Sequence, residues 1–174
     1  MKKETKKQLL IGAALVLELL FLLLYLNGRI DRLLDSDMSS EMILGQLLAR
    51  NNGILSDQWY YSTELRVLNT QLIYALFFRL SSNWHFVRMA STLVLWCVLI
   101  ASYGVLCRVM GCKKSFGVTA LLLAAPVSES YFRFVLAGVY YVPHLAIAFA
   151  ALALNEAYFK AKPDRKKFWL VVSV

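Results

Sequence analysis

The chain has 174 residues, of which 59% are hydrophobic, and its mean hydropathy is +0.57. A soluble globular domain is only about 45–50% apolar. Because the apolar residues fall in long blocks, the composition argues against a soluble domain and predicts a multi-pass membrane protein.

The lysines mark one side of the predicted membrane. All ten lie in three short clusters, at residues 2–7, 113–114 and 160–167. By the positive-inside rule these clusters are cytoplasmic, which predicts a cytoplasmic N-terminus and an extracytoplasmic segment 28–83 that has no lysine. Since topology accounts for the net charge of +8, we expect no nucleic acid partner.

The apolar blocks predict an all-α fold with four complete membrane spans. A transmembrane helix needs about 20 mainly apolar residues. We expect spans at about 8–27, 84–109, 115–131 and 138–158, and the start of a fifth at 168. Residues 1–174 are therefore interpreted as the N-terminal part of one integral membrane domain.

The segment 28–83 is too long for a simple turn and is predicted to contain amphipathic helices at the membrane interface. Apolar residues recur at helical spacing in 38–50, and the residues at 51–53 should end this helix because they tolerate the left-handed conformation. A second helix is expected over 63–80.

Carboxylates are concentrated at the start of this segment. Asp35 and Asp37 are two residues apart, so one loop can aim both at one point, and Glu41 is one helical turn beyond Asp37. Such carboxylates can act as a general base or share Mg²⁺ or Mn²⁺. Capping of the helix by Asp35 or Asp37 explains one acid here easily, but three acids less well, so both interpretations stay open.

Several side chains near these acids are predicted to bind substrate. Arginine suits bidentate phosphate binding, whereas pairing with local acids and headgroups is the alternative. The tyrosines would stack on a sugar ring or form an aromatic belt in the headgroups. The side chains predicted to bind substrate are those of Glu41, Tyr60, Tyr61, Glu64, Arg66 and Arg88.

Polar residues also occur inside the predicted spans. Glu18 lies in the middle of the first span, and Pro143, which should kink the fourth, precedes His144. Packing against neighbouring helices is the commoner explanation. As coupling residues they would instead indicate a transporter or lipid-handling protein. A non-catalytic membrane subunit is the remaining alternative.

The order of these features resembles the N-terminal part of the C-type (GT-C) membrane glycosyltransferases, which include protein O-mannosyltransferases and aminoarabinose transferases. The resemblance rests on Asp35-Ser36-Asp37 after the first helix, on the helix over 38–50, and on the loop sequence at 59–66. Many relatives have two adjacent acids, whereas Ser36 separates them here.

The resemblance implies a polyprenyl-phosphate sugar donor in the cell membrane and inverting transfer to an extracytoplasmic glycan, lipid or protein. An acid of the first-loop motif would be the general base or would bind metal, and we assign this role to Asp35 and Asp37. Members have more spans than the four expected here. The resemblance therefore implies a longer protein, and we expect residues 1–174 to be inactive alone.

Overall fold

The computed structural model describes residues 2–61 and 69–161, and every regular element in these residues is a helix. The expected all-α class is confirmed. The elements are α1 (Lys2–Asn27), α2 (Ser36–Asn51), α3 (Thr70–Phe78), α4 (Trp84–Met110), α5 (Lys113–Ala124), α6 (Glu129–Tyr131), a π-helix (Phe132–Ala137) and α7 (Val142–Lys160).

Within the described residues, three helices are long and apolar enough to cross a membrane: Thr5–Asn27 within α1, Trp84–Met110 and Val142–Lys160. Their large apolar side chains are widely exposed, as in α1, where Leu9 is 76% accessible. Since a helix in lipid exposes such side chains at no cost, these helices indicate association with a bilayer.

The predicted third span, 115–131, is interrupted. α5 ends at Ala124, and Ala125 is extended (ψ 135°) because it precedes Pro126. α5 and Glu129–Ala137 are long and apolar enough to cross a membrane only when taken together. They form a bent pair, which is either a broken span or a re-entrant loop. The described helices thus give three candidate spans, or up to four, and the expected fifth lies outside the described residues.

The predicted fourth span also has a different beginning. The backbone of 138–141 is not helical, and α7 begins at Val142 rather than at 138. Pro143 therefore lies in the first turn of α7, where a proline replaces no intrahelical donor. The expectation that Pro143 kinks this helix is wrong.

The chain divides into two compact units. One unit contains Met1–Leu19, Cys97–Ala125 and His144–Val174, and the other contains Leu20–Trp96 and Pro126–Pro143. The described members of the predicted site all belong to the second unit.

The predicted helix over 38–50 is confirmed as α2, together with both of its ends. Asp35 is the N-cap, and its Oδ1 accepts a hydrogen bond from Met38 N at 2.9 Å. At the other end Asn52 is left-handed (φ 50°), and Gly53 N donates to Leu48 O at 3.2 Å.

α2 packs closely against α3 around Gly45. A Cβ added to Gly45 would lie 2.7 Å from Tyr74 Cβ and 3.0 Å from Gln71 O, so only glycine allows this approach. Of the second predicted helix, 63–80, residues 63–68 lie outside the described part. Because Asn69 has extended backbone (φ −139°, ψ −175°), the helix begins at Thr70 rather than running through this position.

Candidate functional site

The N-cap of α2 is tied to a distant part of the chain. The Tyr140 hydroxyl donates a hydrogen bond to Asp35 Oδ1, the same oxygen that accepts from Met38 N. Ser39 Oγ donates to the Asp35 carbonyl at 2.7 Å. Asp35 is therefore held at its carboxylate and at its backbone, so its orientation is fixed.

Arg88 lies beneath this N-cap and is almost completely buried, with 2% of its surface exposed. One guanidinium nitrogen, Nη2, contacts Met38 Sδ and lies 3.5 Å from the Ala137 carbonyl. A buried cation needs a nearby negative group, and Asp35 interacts electrostatically with Arg88. We call Asp35, Arg88 and Tyr140 the Asp35 cluster.

Tyr140, which reaches Asp35, lies in the irregular backbone between the π-helix and α7. Trp96 Nε1 donates to Leu136 O at 2.9 Å, which fixes the end of the π-helix. A Cβ on Gly138 would lie 2.5 Å from Arg133 O, and Val139 has a positive φ of 55°. A β-branched residue with positive φ is a genuine outlier. Such strain commonly accompanies functional sites.

Asp35 is held in its ionised form. Burial alone would raise the pKa of its carboxyl, but hydrogen bonds from Met38 N, the Tyr140 hydroxyl and Asp37 N, together with the charge of Arg88, lower this pKa below the ordinary value. A general base works best with a pKa near the operating pH. These contacts therefore favour a positioning role for Asp35.

Asp37 has a different environment. It lies in the first turn of α2 and is exposed. Burial raises the pKa of the Tyr140 hydroxyl, and the negative charges of Asp35 and Asp37 raise it further, which places Asp37 near the Asp35 cluster. Of the two acids in the motif, Asp37 is thus the more exposed one.

Glu41 faces α3 rather than the exposed surface. Its Oε1 accepts a hydrogen bond from Asn69 Nδ2 at 3.0 Å, and Asn69 is 4% exposed. Glu41 therefore joins the start of α3 to α2. Its predicted role in substrate binding is not tested by this contact.

The first turns of α4 present a buried polar face. Arg88, Ser91 and Thr92 are all buried and share one side of the helix by their spacing. In the described part of the chain, the Ser91 and Thr92 hydroxyls and Arg88 Nε and Nη1 have no hydrogen-bond partner. Buried polar atoms normally bind protein groups or ordered water, so this face is suited to polar ligand atoms.

The predicted aromatic residues have separate environments. Tyr60 is 89% exposed, whereas Tyr61 is half-buried and accepts a hydrogen bond from Ser56 N at 2.9 Å. Tyr61 also packs with Trp59 against Leu44, Leu48 and Ala75. Tyr60 alone is therefore free to stack on a ligand. Glu64 and Arg66 lie outside the described residues.

His85 connects the start of α4 to the end of α1. Its Nδ1 lies 3.2 Å from Asp31 Oδ2, and its Nε2 lies 3.1 Å from Asn27 Oδ1. Because both ring nitrogens are engaged by oxygens of the protein, His85 has a structural function here.

The sequence predicts that Asp35 and Asp37 could bind a divalent cation. No group of three or more histidine, cysteine, aspartate or glutamate residues in 2–61 and 69–161 is placed to hold a metal ion. Asp35 and Asp37 alone would hold Mg²⁺ only with water and substrate phosphate as further ligands. Their use of Mg²⁺ or Mn²⁺ therefore stays a prediction.

The sequence does not single out Tyr140 or Asn69 as functional residues. Neither has a local signal, because each acts on a residue far away in the chain: Tyr140 on Asp35 and Asn69 on Glu41.

Comparison of the chain with protein-family models, with curated proteins and with solved structures gives no match.

Proposed function

We propose that the protein is a membrane glycosyltransferase of the GT-C type, with its N-terminus in the cytoplasm and segment 28–83 outside. It transfers a sugar from a polyprenyl-phosphate donor to an extracytoplasmic acceptor. The observation that carries this proposal is the exposed carboxylate of Asp37 beside the fixed Asp35 cluster. The resemblance of the Asp35-Ser36-Asp37 motif to GT-C enzymes gives further support.

Asp37 is the general base in this proposal. It takes the proton of an acceptor hydroxyl while the acceptor oxygen forms a bond to the anomeric carbon of the sugar. The bond from this carbon to the phosphate oxygen breaks, and the lipid phosphate leaves with the electron pair. A positioned base of this kind contributes about 10²–10⁴-fold to the rate.

Asp35 and Arg88 are positioning residues. Asp35 caps the start of α2 in a fixed orientation, so the first turn that carries Asp37 has one orientation. The positive charge of Arg88 compensates the negative charge of Asp35, and its guanidinium contacts the Ala137 carbonyl. Binding of the donor phosphate by Arg66 stays a prediction.

An apolar cavity supports a lipid-linked donor. It has a volume of about 340 Å³ and is lined by Phe21, Leu22, Tyr25, Pro126, Ser128, Glu129 and Phe132. This volume falls within the range of about 300–1,000 Å³ that is typical of ligand sites. Its position near the Asn27 end of α1 suits the first part of a lipid chain.

Substitution of Asp37 tests the proposal. In the full-length protein, Asp37→Asn should lower sugar transfer from a radiolabelled polyprenyl-phosphate donor by about 100-fold or more, because an amide cannot accept the proton. Asp57→Asn is the matched control, since Asp57 is an exposed acid of the same segment. Unchanged transfer in Asp37→Asn would overturn the assignment of Asp37 as the base, and unchanged transfer in both Asp35→Asn and Asp37→Asn would overturn the role of the whole motif.

One observation favours a transporter as the second candidate. Glu18 lies in the middle of α1, and its Oε2 is shielded from solvent without a hydrogen-bond partner in the described part of the chain. A carboxyl in this position is a functional candidate in a membrane protein. Loss of substrate flux in Glu18→Gln reconstituted in vesicles, with full flux in Asp37→Asn, is the result expected of a transporter.

A further inference from the structure

A second cavity lies in the other unit, between the last turns of α4 and the first turn of α5. Its volume is about 310 Å³, and it is lined by Gly104, Cys107, Arg108, Lys113 and Phe116. This cavity has no part in the proposed transfer reaction. It lies at the end of α4 that is followed by the lysine cluster 113–114 at the start of α5.

The apolar wall of the cavity is built by close packing. Phe116 stacks against Tyr103 with ring centroids 6.1 Å apart, and Tyr103 contacts Phe149 at 5.3 Å. A Cβ on Gly104 would stand 3.2 Å from the Phe116 ring. The glycine therefore lets this ring lie against α4, and the ring gives the cavity a fixed side.

The rim of the cavity carries positive charge that the lining residues do not balance. Arg108 lies in the last turn of α4, and Lys113 is the first residue of α5; both are exposed. The N-terminal end of a helix already carries partial positive charge and favours acids. An anion bound at this position would be favoured both by the helix N-terminus and by the charges of Arg108 and Lys113.

The nearby acid on α7 is already paired. Glu156 forms an ion pair of 2.9 Å with Lys160, whose Nζ also donates to the Val109 carbonyl at 2.9 Å. Cys112, the N-cap of α5, makes no side-chain capping bond. The first N–H groups of α5 are thus not capped by that residue and add to the positive potential at the rim.

We propose that this cavity binds the phosphodiester headgroup of an anionic phospholipid. Arg108 and Lys113 hold the phosphate, and the exposed Val105 and Val118 on the same two helices offer apolar surface to the acyl chains. Basic pockets between helices at the membrane surface recognise lipid headgroups in this way. A lipid, rather than free phosphate, is the occupant because the site joins a charged rim to apolar helix surfaces.

Lipid binding to the full-length protein in detergent tests this proposal. Phosphatidylglycerol should remain bound in native mass spectrometry and should raise the Tm, whereas phosphatidylcholine and inorganic phosphate should not. In the double variant Arg108→Gln/Lys113→Gln, the affinity for phosphatidylglycerol should fall by about 30-fold, since each basic residue near anionic lipid contributes about 1 kcal/mol.

The double variant Lys6→Gln/Lys7→Gln is the matched control, because it removes two exposed charges from α1. It should keep the wild-type affinity. An equal loss in both double variants, an equal Tm increase with phosphatidylcholine, or full competition by inorganic phosphate would each overturn the proposal. The Tm without lipid shows whether the cavity variant has folded normally.

Discussion

Asp35→Ala is expected to lower the free energy of unfolding by about 3 kcal/mol, the largest stability loss of any single change at an acid of this loop. Two contacts are lost together. The N-cap hydrogen bond to Met38 N contributes about 1 kcal/mol, and the bond from Tyr140 to a charged acceptor contributes about 1.5–3 kcal/mol. Arg88 also loses its nearest negative charge.

Chemical unfolding in mixed micelles measures this loss. Asp37→Ala is the control, because Asp37 is exposed and surface substitutions usually change stability by less than about 0.5 kcal/mol. Equal stability losses in the two variants would contradict the assigned roles. Tyr140→Phe should reproduce only the part of the loss that comes from the hydrogen bond to Asp35.

The pH dependence separates the charge of Asp35 from its capping function. Because the pKa of Asp35 is lower in the folded protein than in the unfolded chain, its charge stabilises the fold above the ordinary pKa of about 3.9. This contribution is lost as the pH falls through the lower, folded-state pKa. In Asp35→Asn the cap is kept and the charge is absent, so wild type and variant should converge in stability at acidic pH.

Gly45→Leu is expected to lower the free energy of unfolding by about 3 kcal/mol by forcing α2 away from α3. The obstacle is rigid, because the nearest atoms are Tyr74 Cβ at 2.7 Å and the Gln71 carbonyl at 3.0 Å. Neither is the end of a flexible side chain. The hydrogen bond between Glu41 and Asn69 joins the same two helices and should break with them.

Gly12→Leu provides the control for this substitution. No atom lies within 4 Å of a Cβ built on Gly12, which is also inside a helix. Because leucine is the better helix former, the stability should stay constant or rise by less than about 1 kcal/mol. If Gly45→Leu behaves in the same way, α2 and α3 do not cross closely at this point.

Local signals in the sequence predict local structure well. The sequence predicts that Asp35 or Asp37 caps the start of α2 and that residues 51–53 end the helix in the left-handed conformation. Caps and stops are predictable because they depend on residue type and on neighbours in sequence. The pattern left Asp35 and Asp37 as equal candidates for the cap. The structure distinguishes them, since only Asp35 accepts from Met38 N.

The structural features that the sequence does not predict depend on contacts with distant parts of the chain. Pro126 marks an interruption, but nothing near it predicts a π-helix over Phe132–Ala137 or the positive φ of Val139. These follow from what the segment contacts, including Trp96 on α4. Composition likewise indicates membrane helices, yet it overestimates the length of the third and fourth spans, because apolar residues also occur in irregular backbone between helices.

The hydrogen bond from Tyr140 to Asp35 joins residues 105 positions apart. During synthesis, the hydrogen bond between Tyr140 and the N-cap of α2 therefore cannot form until α4 and the π-helix have been made. Contacts between such distant residues form late, because the entropy of closing the intervening chain must be overcome first. The N-cap of α2 is thus complete only after the segment that carries Tyr140 has been synthesised and has folded against Asp35.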